Sequence, residues 1–179
     1  MKLMKKLIEK LKGISVAGRT AFIIMCIEKY LVAQYPEKDW TPLAEEMWKF
    51  NDSYWDEWLY SFIDLFPEYI NEYNSFEEYT GKYSYDIFRN LYKDLKNNDL
   101  NEMLDLLNDF MGIYLYTRVC DYTESMFPEV IEEVVGYLTK NNIPVPDVGK
   151  VSFSEFRYNK GFGKKFDGRY LSVILKRPY

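Results

Sequence analysis

Apolar side chains recur every three to four residues through most of the first 140 positions, which is the spacing of one face of an α-helix. Prolines, glycines and an Asn-Asn pair interrupt the pattern. The chain therefore predicts a mostly α fold, a bundle of about six to seven helices, with a short helical turn and a loop over 68–83. The predicted helices are 2–12, 15–34, 41–50, 53–66, 84–95, 99–119 and a last one from Thr123 or Pro128 to Lys140.

Local signals locate the centre of the bundle and two helix starts. Residues 21–27 are apolar on all sides, so the helix that contains them is predicted to be the central and most buried one. Thr41-Pro42 has the form of a helix start, a capping hydroxyl followed by proline in the first helical position. Asp99 followed by Glu102 three residues later has the form of a capping box.

The pattern changes after residue 146. Residues 151–153 and 170–175 look extended, and the glycine-lysine segment 161–165 lies between them. We expect one domain over 1–179, with a helical body at 1–146. The remaining residues, 147–179, are predicted to be a basic tail, extended or folded as a β-hairpin, that packs on the body.

The net charge of −5 is distributed unevenly. Residues 1–12 contain five basic residues and one acidic one, and residues 150–179 contain eight basic and two acidic residues. The part between them has ten basic and 25 acidic residues, a net charge of −15. Such a body repels nucleic acid and attracts a basic protein, so no direct nucleic-acid binding is expected.

The missing histidine is the most specific chemical signal of the sequence. It removes the Ser-His-Asp and Cys-His nucleophile systems, almost every catalytic zinc site, and the Glu-x-x-His pairs of di-iron bundles. We therefore predict a protein that is not an enzyme and that has no metal site and no cofactor. Cys26 and Cys120 lie in apolar helical patterns and are read as small buried hydrophobes in a reducing cytosol.

Two features bear on the compartment. At the N-terminus, lysines alternate with apolar residues over 1–8, whereas a secretory signal would have an unbroken apolar run. The longest apolar block, 21–27, is far shorter than the roughly 20 residues that span a bilayer. A cytoplasmic location without stable membrane insertion is the expectation.

Three further patterns allow a functional and a structural interpretation. The carboxylates Asp52, Asp56, Glu57 and Glu68 could divide acid and base roles in catalysis, or they could be solvated residues that favour helix N-termini. The 161–165 loop could hold a phosphate, but it lacks the spacing of a P-loop, so a plain turn is favoured. The amphipathic helix 2–12 could lie on an anionic membrane, although docking on the bundle is the simpler interpretation.

The four tryptophans and the aromatic share of 18% fit either a core or an interface. The stretch Trp40–Tyr69 contains a Trp-rich helical pair that ends in Pro67-Glu68, and Glu28-Lys29-Tyr30 precedes it. This pattern resembles the small acidic, all-helical immunity proteins of bacterial polymorphic-toxin and contact-dependent inhibition systems. It covers about a third of the chain, and the basic tail has no counterpart in it.

The resemblance implies a protein that binds a cognate toxin domain, often a nuclease, and neutralises it without catalysing a reaction. A toxin that acts on nucleic acid is usually basic, so an acidic surface would speed association. A carboxylate-dependent enzyme and a peripheral membrane-associated protein remain the alternatives. The acidic residues predicted to contact the toxin are Asp52, Asp56, Glu57, Glu68, Glu72, Glu77 and Glu78.

Overall fold

The structure, a computed structural model, describes residues 2–51, 55–72 and 84–176. Within these ranges the chain is mostly helical, as predicted, and contains no β-strand. The α-helices are α1 (Lys2–Lys12), α2 (Val16–Gln34), α3 (Thr41–Trp48), α4 (Trp55–Ile63), α5 (Pro67–Glu72), α6 (Tyr85–Tyr92), α7 (Asp99–Thr117) and α8 (Asp121–Lys140). Short 3-10 turns occupy Lys49–Asn51, Val148–Val151, Asn159–Gly161 and Gly168–Leu171.

Helix α2 is the central helix, which confirms the prediction from its apolar centre. Every residue from Val16 to Glu28 is buried, and α7 and α8 both pack against α2 and against each other. The Ser15 hydroxyl caps α2 by accepting the Gly18 N–H at 3.2 Å. At Gly18 a Cβ would lie 2.5 Å from Ile14 Cγ2, so the close approach of the chain at this point requires glycine.

The other helices are arranged around this three-helix core. Helix α4 packs on α7, α5 packs on α6 and α7, and α3 contacts α2 and α6. Helix α1 lies across α8 and the 148–151 turn, where Ile8 and Leu11 are buried. The amphipathic face of α1 is therefore docked on the bundle over its second half.

Helix α3 is capped by Trp40 without a side-chain cap bond, and Thr41, the predicted cap, is already its first helical residue. Two further predicted helix starts differ from the observed ones. The cap of α7 is Asn98, and Asp99 is not part of a capping box, because its carboxylate accepts bonds from the Tyr30 hydroxyl and from Lys140 Nζ, both at 3.0 Å. Helix α8 begins at Asp121, before either predicted start, and it contains Pro128 in its interior. A tertiary contact in the first case and a reciprocal Cys120–Thr123 cap in the second decide the boundary.

The tail does not form the predicted β-hairpin. The Asp147 and Asp167 carboxylates accept the N–H groups of Gly149 and Arg169, at 2.9 and 3.0 Å, and close 3-10 turns where strands were expected. Instead of pairing with itself, the tail bonds to the start of α2, where the Ser15 N–H donates to the Ser154 carbonyl at 2.7 Å. Val148, Val151 and Leu171 join the hydrophobic core.

None of the helices in the described ranges has both the length and the apolar character that crossing a bilayer requires.

Candidate protein-binding groove

The structure places four of the seven predicted contact residues. Asp56 and Glu57 lie in the first turn of α4, Glu68 lies in the first turn of α5, and Glu72 is its last residue. All four are exposed. Asp52, Glu77 and Glu78 fall outside the described residues, so their place in a site stays a prediction.

A groove of about 580 Å³ runs between α4 and α7, and none of these four carboxylates is among the residues that line it. Its floor is apolar and consists of Leu59 and Ile63 from α4 and Gly112 and Ile113 from α7. At Gly112 a Cβ would lie 3.9 Å from Leu59 Cδ2, an ordinary van der Waals contact, so the packing of α4 on α7 does not require glycine there. We refer to this feature as the α4–α7 groove.

Two tyrosines cross one end of the α4–α7 groove. The hydroxyls of Tyr60 and Tyr116 are hydrogen-bonded at 2.6 Å, although the residues are 64% and 67% exposed. This hydrogen bond, together with the nearby charges of Tyr60 and Asp56, raises the pKa of Tyr116. The Tyr116 hydroxyl therefore keeps its proton at physiological pH, and the two tyrosines present aromatic faces to solvent.

The other end of the groove is acidic. Asp109 lines it, and Asp105 lies one turn earlier on α7. Partial burial raises the pKa of Asp105, and the charges of Glu68, Asp109 and Glu102 raise it further. This direction shows that the carboxylates of α5 and α7 are close enough to repel one another.

Asn101 holds two of these carboxylates in place. Its Nδ2 donates to Asp105 Oδ2 at 2.9 Å and to Glu68 Oε2 at 3.3 Å, while its Oδ1 accepts the Glu68 N–H at 3.0 Å. Within the described part of the chain, neither Glu68 nor Asp105 nor Asp109 forms an ion pair. The groove thus has an acidic rim, and no cation among the described residues pairs with these three carboxylates.

Sequence reasoning missed the contribution of α7. The core face of that helix was assigned correctly to residues such as Leu107 and Tyr114, which are buried. Asp105, Asp109 and Tyr116 lie on another side of the helix, where the half-buried Leu106 and Ile113 are apolar signs of a second packed surface. The signal that could have found them is the succession 105, 109, 113 and 116, which follows one face of a helix.

The tryptophans belong mainly to the core. Trp40, Trp48 and Trp58 are buried, and each indole N–H has a partner: the Tyr35 carbonyl, Glu28 Oε1 and the Glu46 carbonyl, at 3.2, 2.8 and 2.9 Å. Trp55 is half-buried and packs edge-on against Phe162 at 5.2 Å. The buried rings of Trp40, Trp48 and Trp58 are therefore not available as interface anchors.

The 161–165 loop is a packing element. The N–H groups of Gly161 and Gly163 both donate to the Tyr158 carbonyl, and the Phe162 carbonyl accepts the Ala17 N–H at 3.1 Å. Gly163 has a φ of 89°, and a Cβ there would lie 2.2 Å from Ser15 Oγ. The glycines let the loop cover the start of α2, so the turn interpretation accounts for them.

The two cysteines have different surroundings. Cys26 is fully buried, and burial raises the pKa of its thiol, as expected of a small core residue. Cys120 is exposed, so the prediction that it is buried was wrong. It precedes α8 as its cap, where the hydrogen bond from the Thr123 N–H lowers its pKa.

No group of three or more Cys, Asp or Glu side chains arranged to hold a metal ion occurs within the described ranges. Searches of protein-family models, of curated proteins and of solved structures found no match to the chain.

Proposed function

We propose that the protein is an immunity protein that binds a basic toxin domain in the cytoplasm and neutralises it through the α4–α7 groove. The observation that carries the proposal is the combination of an exposed tyrosine pair, an apolar floor and an acidic rim that forms no ion pair within the described residues. The Trp-rich resemblance and the net charge of −15 in the body agree with it.

The groove has the parts that a protein partner needs. Exposed aromatic side chains bury a large area at low entropic cost and are enriched at interface hot spots. Unpaired carboxylates at the rim attract lysine and arginine side chains and speed association. A basic active site that binds phosphates would find here an alternative set of negative charges, and occupation of that site would block the toxin.

The first test is co-expression with the product of the adjacent gene, followed by co-purification and a growth assay. We expect the neighbour to be toxic alone and harmless in the presence of this protein. A neighbour that is not toxic, or whose toxicity is undiminished, contradicts the proposal.

The double variant Asp56→Lys/Asp109→Lys is expected to raise the Kd for the toxin by about 100-fold or more, because each lysine opposes a basic partner. Calorimetry or surface plasmon resonance measures the change. The matched control is Glu132→Lys/Glu133→Lys, which makes the same charge change on exposed residues of α8. Equal loss in both variants would indicate general attraction rather than this groove.

Tyr60→Ala and Tyr116→Ala are each expected to weaken binding by about 30-fold, the size of a typical aromatic hot spot. Because both rings are mostly exposed, the free energy of unfolding should change little. Tyr60→Phe keeps the aromatic ring but removes the hydrogen bond to Tyr116, so it separates the two contributions to binding. Tyr122→Ala is the control, because it removes an exposed tyrosine outside the groove. Unchanged affinity in both alanine variants would place the interface elsewhere.

A further inference from the structure

A second depression lies between the first half of α1, the outer side of α8 and residues 145–148. Its volume is about 440 Å³, and we call it the α1–α8 cleft. Apolar side chains form most of its wall, and they are Leu3, Met4, Leu7, Val135, Val145 and Val148. No feature of the α4–α7 groove contributes to it.

The cleft exists because the apolar face of α1 is less completely covered toward its start. Ile8 and Leu11 are buried against the body, whereas Leu7 and Met4 are half-buried and Leu3 is 81% exposed. The apolar face of α1 therefore continues beyond the surface that the body covers. The uncovered part of that face forms one wall of the cleft.

Two lysines give the cleft a positive edge. Lys6 and Lys10 line it one helical turn apart, and both are exposed. Neither forms an ion pair with any residue that the structure describes. The single carboxylate of the lining is Asp147, whose Oδ1 already accepts the Gly149 N–H at 2.9 Å.

We propose that the α1–α8 cleft binds a single-chain amphiphile with an anionic head, such as a fatty-acid carboxylate. The alkyl chain would lie against Leu7, Val135 and Val148, and the head would meet the ammonium groups of Lys6 and Lys10. Apolar walls with a few charged groups that fix orientation are typical of small-molecule sites, and the volume lies in their usual range of about 300–1,000 Å³.

The structure favours a free amphiphile over a bilayer or a partner helix. Ile8 and Leu11 would have to leave the core before α1 could insert its face into a membrane, and burial of such side chains opposes that step. A helix with side chains is about 10–12 Å wide and needs a long groove, whereas this cleft is bounded at one side by the 145–148 segment.

The test uses the full chain and dodecanoate below its micelle concentration, with calorimetry for affinity and methyl NMR for location. We expect saturable binding with shifts centred on Leu7, Val135 and Val148. Lys6→Glu/Lys10→Glu should weaken binding by about tenfold. The matched control Lys2→Glu/Lys5→Glu reverses two lysines of the same helix that lie outside the cleft and should change the affinity by less than about twofold.

Asp147→Asn should tighten binding about twofold, because asparagine can still close the turn but no longer repels the head. Dodecyltrimethylammonium and butanoate, which change the head or remove the chain, should bind at least about tenfold more weakly than dodecanoate. Absence of dodecanoate binding, shifts elsewhere, or equal loss in both double variants overturns the proposal. So does co-sedimentation with phosphatidylglycerol vesicles without binding of free dodecanoate, which would identify a membrane-surface site.

Discussion

Replacing Arg19 with methionine is expected to lower the free energy of unfolding by about 3 kcal/mol, the low end of the effect of breaking a buried ion pair. Arg19 is a cation in the central helix with a side chain that is 0% exposed. Its Nη1 and Nη2 donate to the two carboxylate oxygens of Glu124 at 2.8 and 2.9 Å, and Nη1 also donates to the Tyr114 hydroxyl at 3.0 Å. The guanidinium lies 3.9 Å from the centre of the Phe127 ring.

Arg19 also joins α1 to the core. Its Nε donates to the Leu11 carbonyl at 3.0 Å, and Nη2 donates to the Lys12 carbonyl at 3.3 Å. Both are carbonyls of the last turn of α1, and the Leu11 carbonyl also accepts the Ile14 N–H at 3.0 Å. Methionine would fill much of the space but would remove the Arg19 donor from the Lys12 carbonyl and from the Tyr114 hydroxyl. Since the Glu124 side chain is 27% exposed, water can reach it, which is why the expected loss is not larger.

Urea unfolding followed by circular dichroism measures this change. Arg19→Lys keeps the charge but not the planar fork, so it should recover less than half of the loss. Arg157→Met is the matched control, because Arg157 pairs with Glu155 at 2.8 Å on the exposed surface. Its replacement should lower the free energy of unfolding far less than that of Arg19. A loss below about 1 kcal/mol for Arg19→Met would mean that the network positions α1 without stabilising the fold.

The helical part of the fold could be predicted because it depends on local patterns. The apolar stripe of 2–12 and the apolar centre of α2 are properties of neighbouring residues, and α1 and α2 match them closely. Local signals failed where a distant residue competes for the same group. Asp99 has the sequence of a cap, but Tyr30 and Lys140 occupy its carboxylate.

The tail shows the same limit. Segments 151–153 and 170–175 have the apolar character of short strands, but a strand also needs a partner with matching register. Asp147 and Asp167 close turns there, and the segment bonds to α2. The sequence contains these aspartates, but it does not reveal which competing hydrogen bonds form.

The candidate groove also combines residues that the sequence predicts with residues that it does not. Charge density pointed to the region of Asp56 and Glu68, but neither residue lines the groove. Their charges act on Tyr116 and on Asp105, respectively. The contributions of Asp109 and Tyr116 depend on how α4 packs on α7, with Tyr60 and Tyr116 meeting across 56 positions of sequence. This contact depends on tertiary packing, so the periodicity of either helix alone cannot predict it.

Replacing Glu28 with leucine is expected to destabilise the fold by about 3–4 kcal/mol and to release the end of the tail. Glu28 is a buried carboxylate in α2 that accepts three bonds, from Trp48 Nε1, the Ser172 hydroxyl and the Val173 N–H, at 2.8, 2.5 and 2.8 Å. Leucine would leave three donors unsatisfied, each at a cost of about 1–3 kcal/mol, partly offset by the removal of a buried acid.

The effect should concentrate in the tail because Glu28 organises the 172–175 turn. The Ser172 hydroxyl that donates to Glu28 accepts the N–H groups of Ile174 and Leu175, at 3.0 and 2.8 Å. Loss of the carboxylate therefore frees a connected set of bonds. Hydrogen exchange of residues 172–176 should rise strongly in Glu28→Leu, while exchange in the middle of α7 should rise only with global stability. Equal protection of the tail in both proteins would contradict this role.

Glu28 also predicts a dependence of stability on pH. Burial raises the pKa of Glu28 above its value in the unfolded chain, and its three hydrogen bonds oppose that rise without cancelling it. The folded protein thus holds this proton more tightly, so the associated stabilisation is complete below the unfolded pKa of about 4.3 and is lost as the pH rises through the folded pKa. Asp105 changes stability in the same direction and Asp39 in the opposite one.

Glu28→Gln isolates this contribution, because it keeps the shape of the side chain but does not titrate. The wild type should lose more stability than Glu28→Gln when urea unfolding is compared between about pH 5 and about pH 8, while Asp105 and Asp39 contribute equally to both proteins. Asp105→Asn is the control, because Asp105 is a half-buried acid outside the Glu28 site. It should remove a separate part of the dependence of stability on pH. Parallel pH profiles for the wild type and Glu28→Gln would contradict this prediction. They would show that the Glu28 carboxylate has the same affinity for its proton in the folded and unfolded chains.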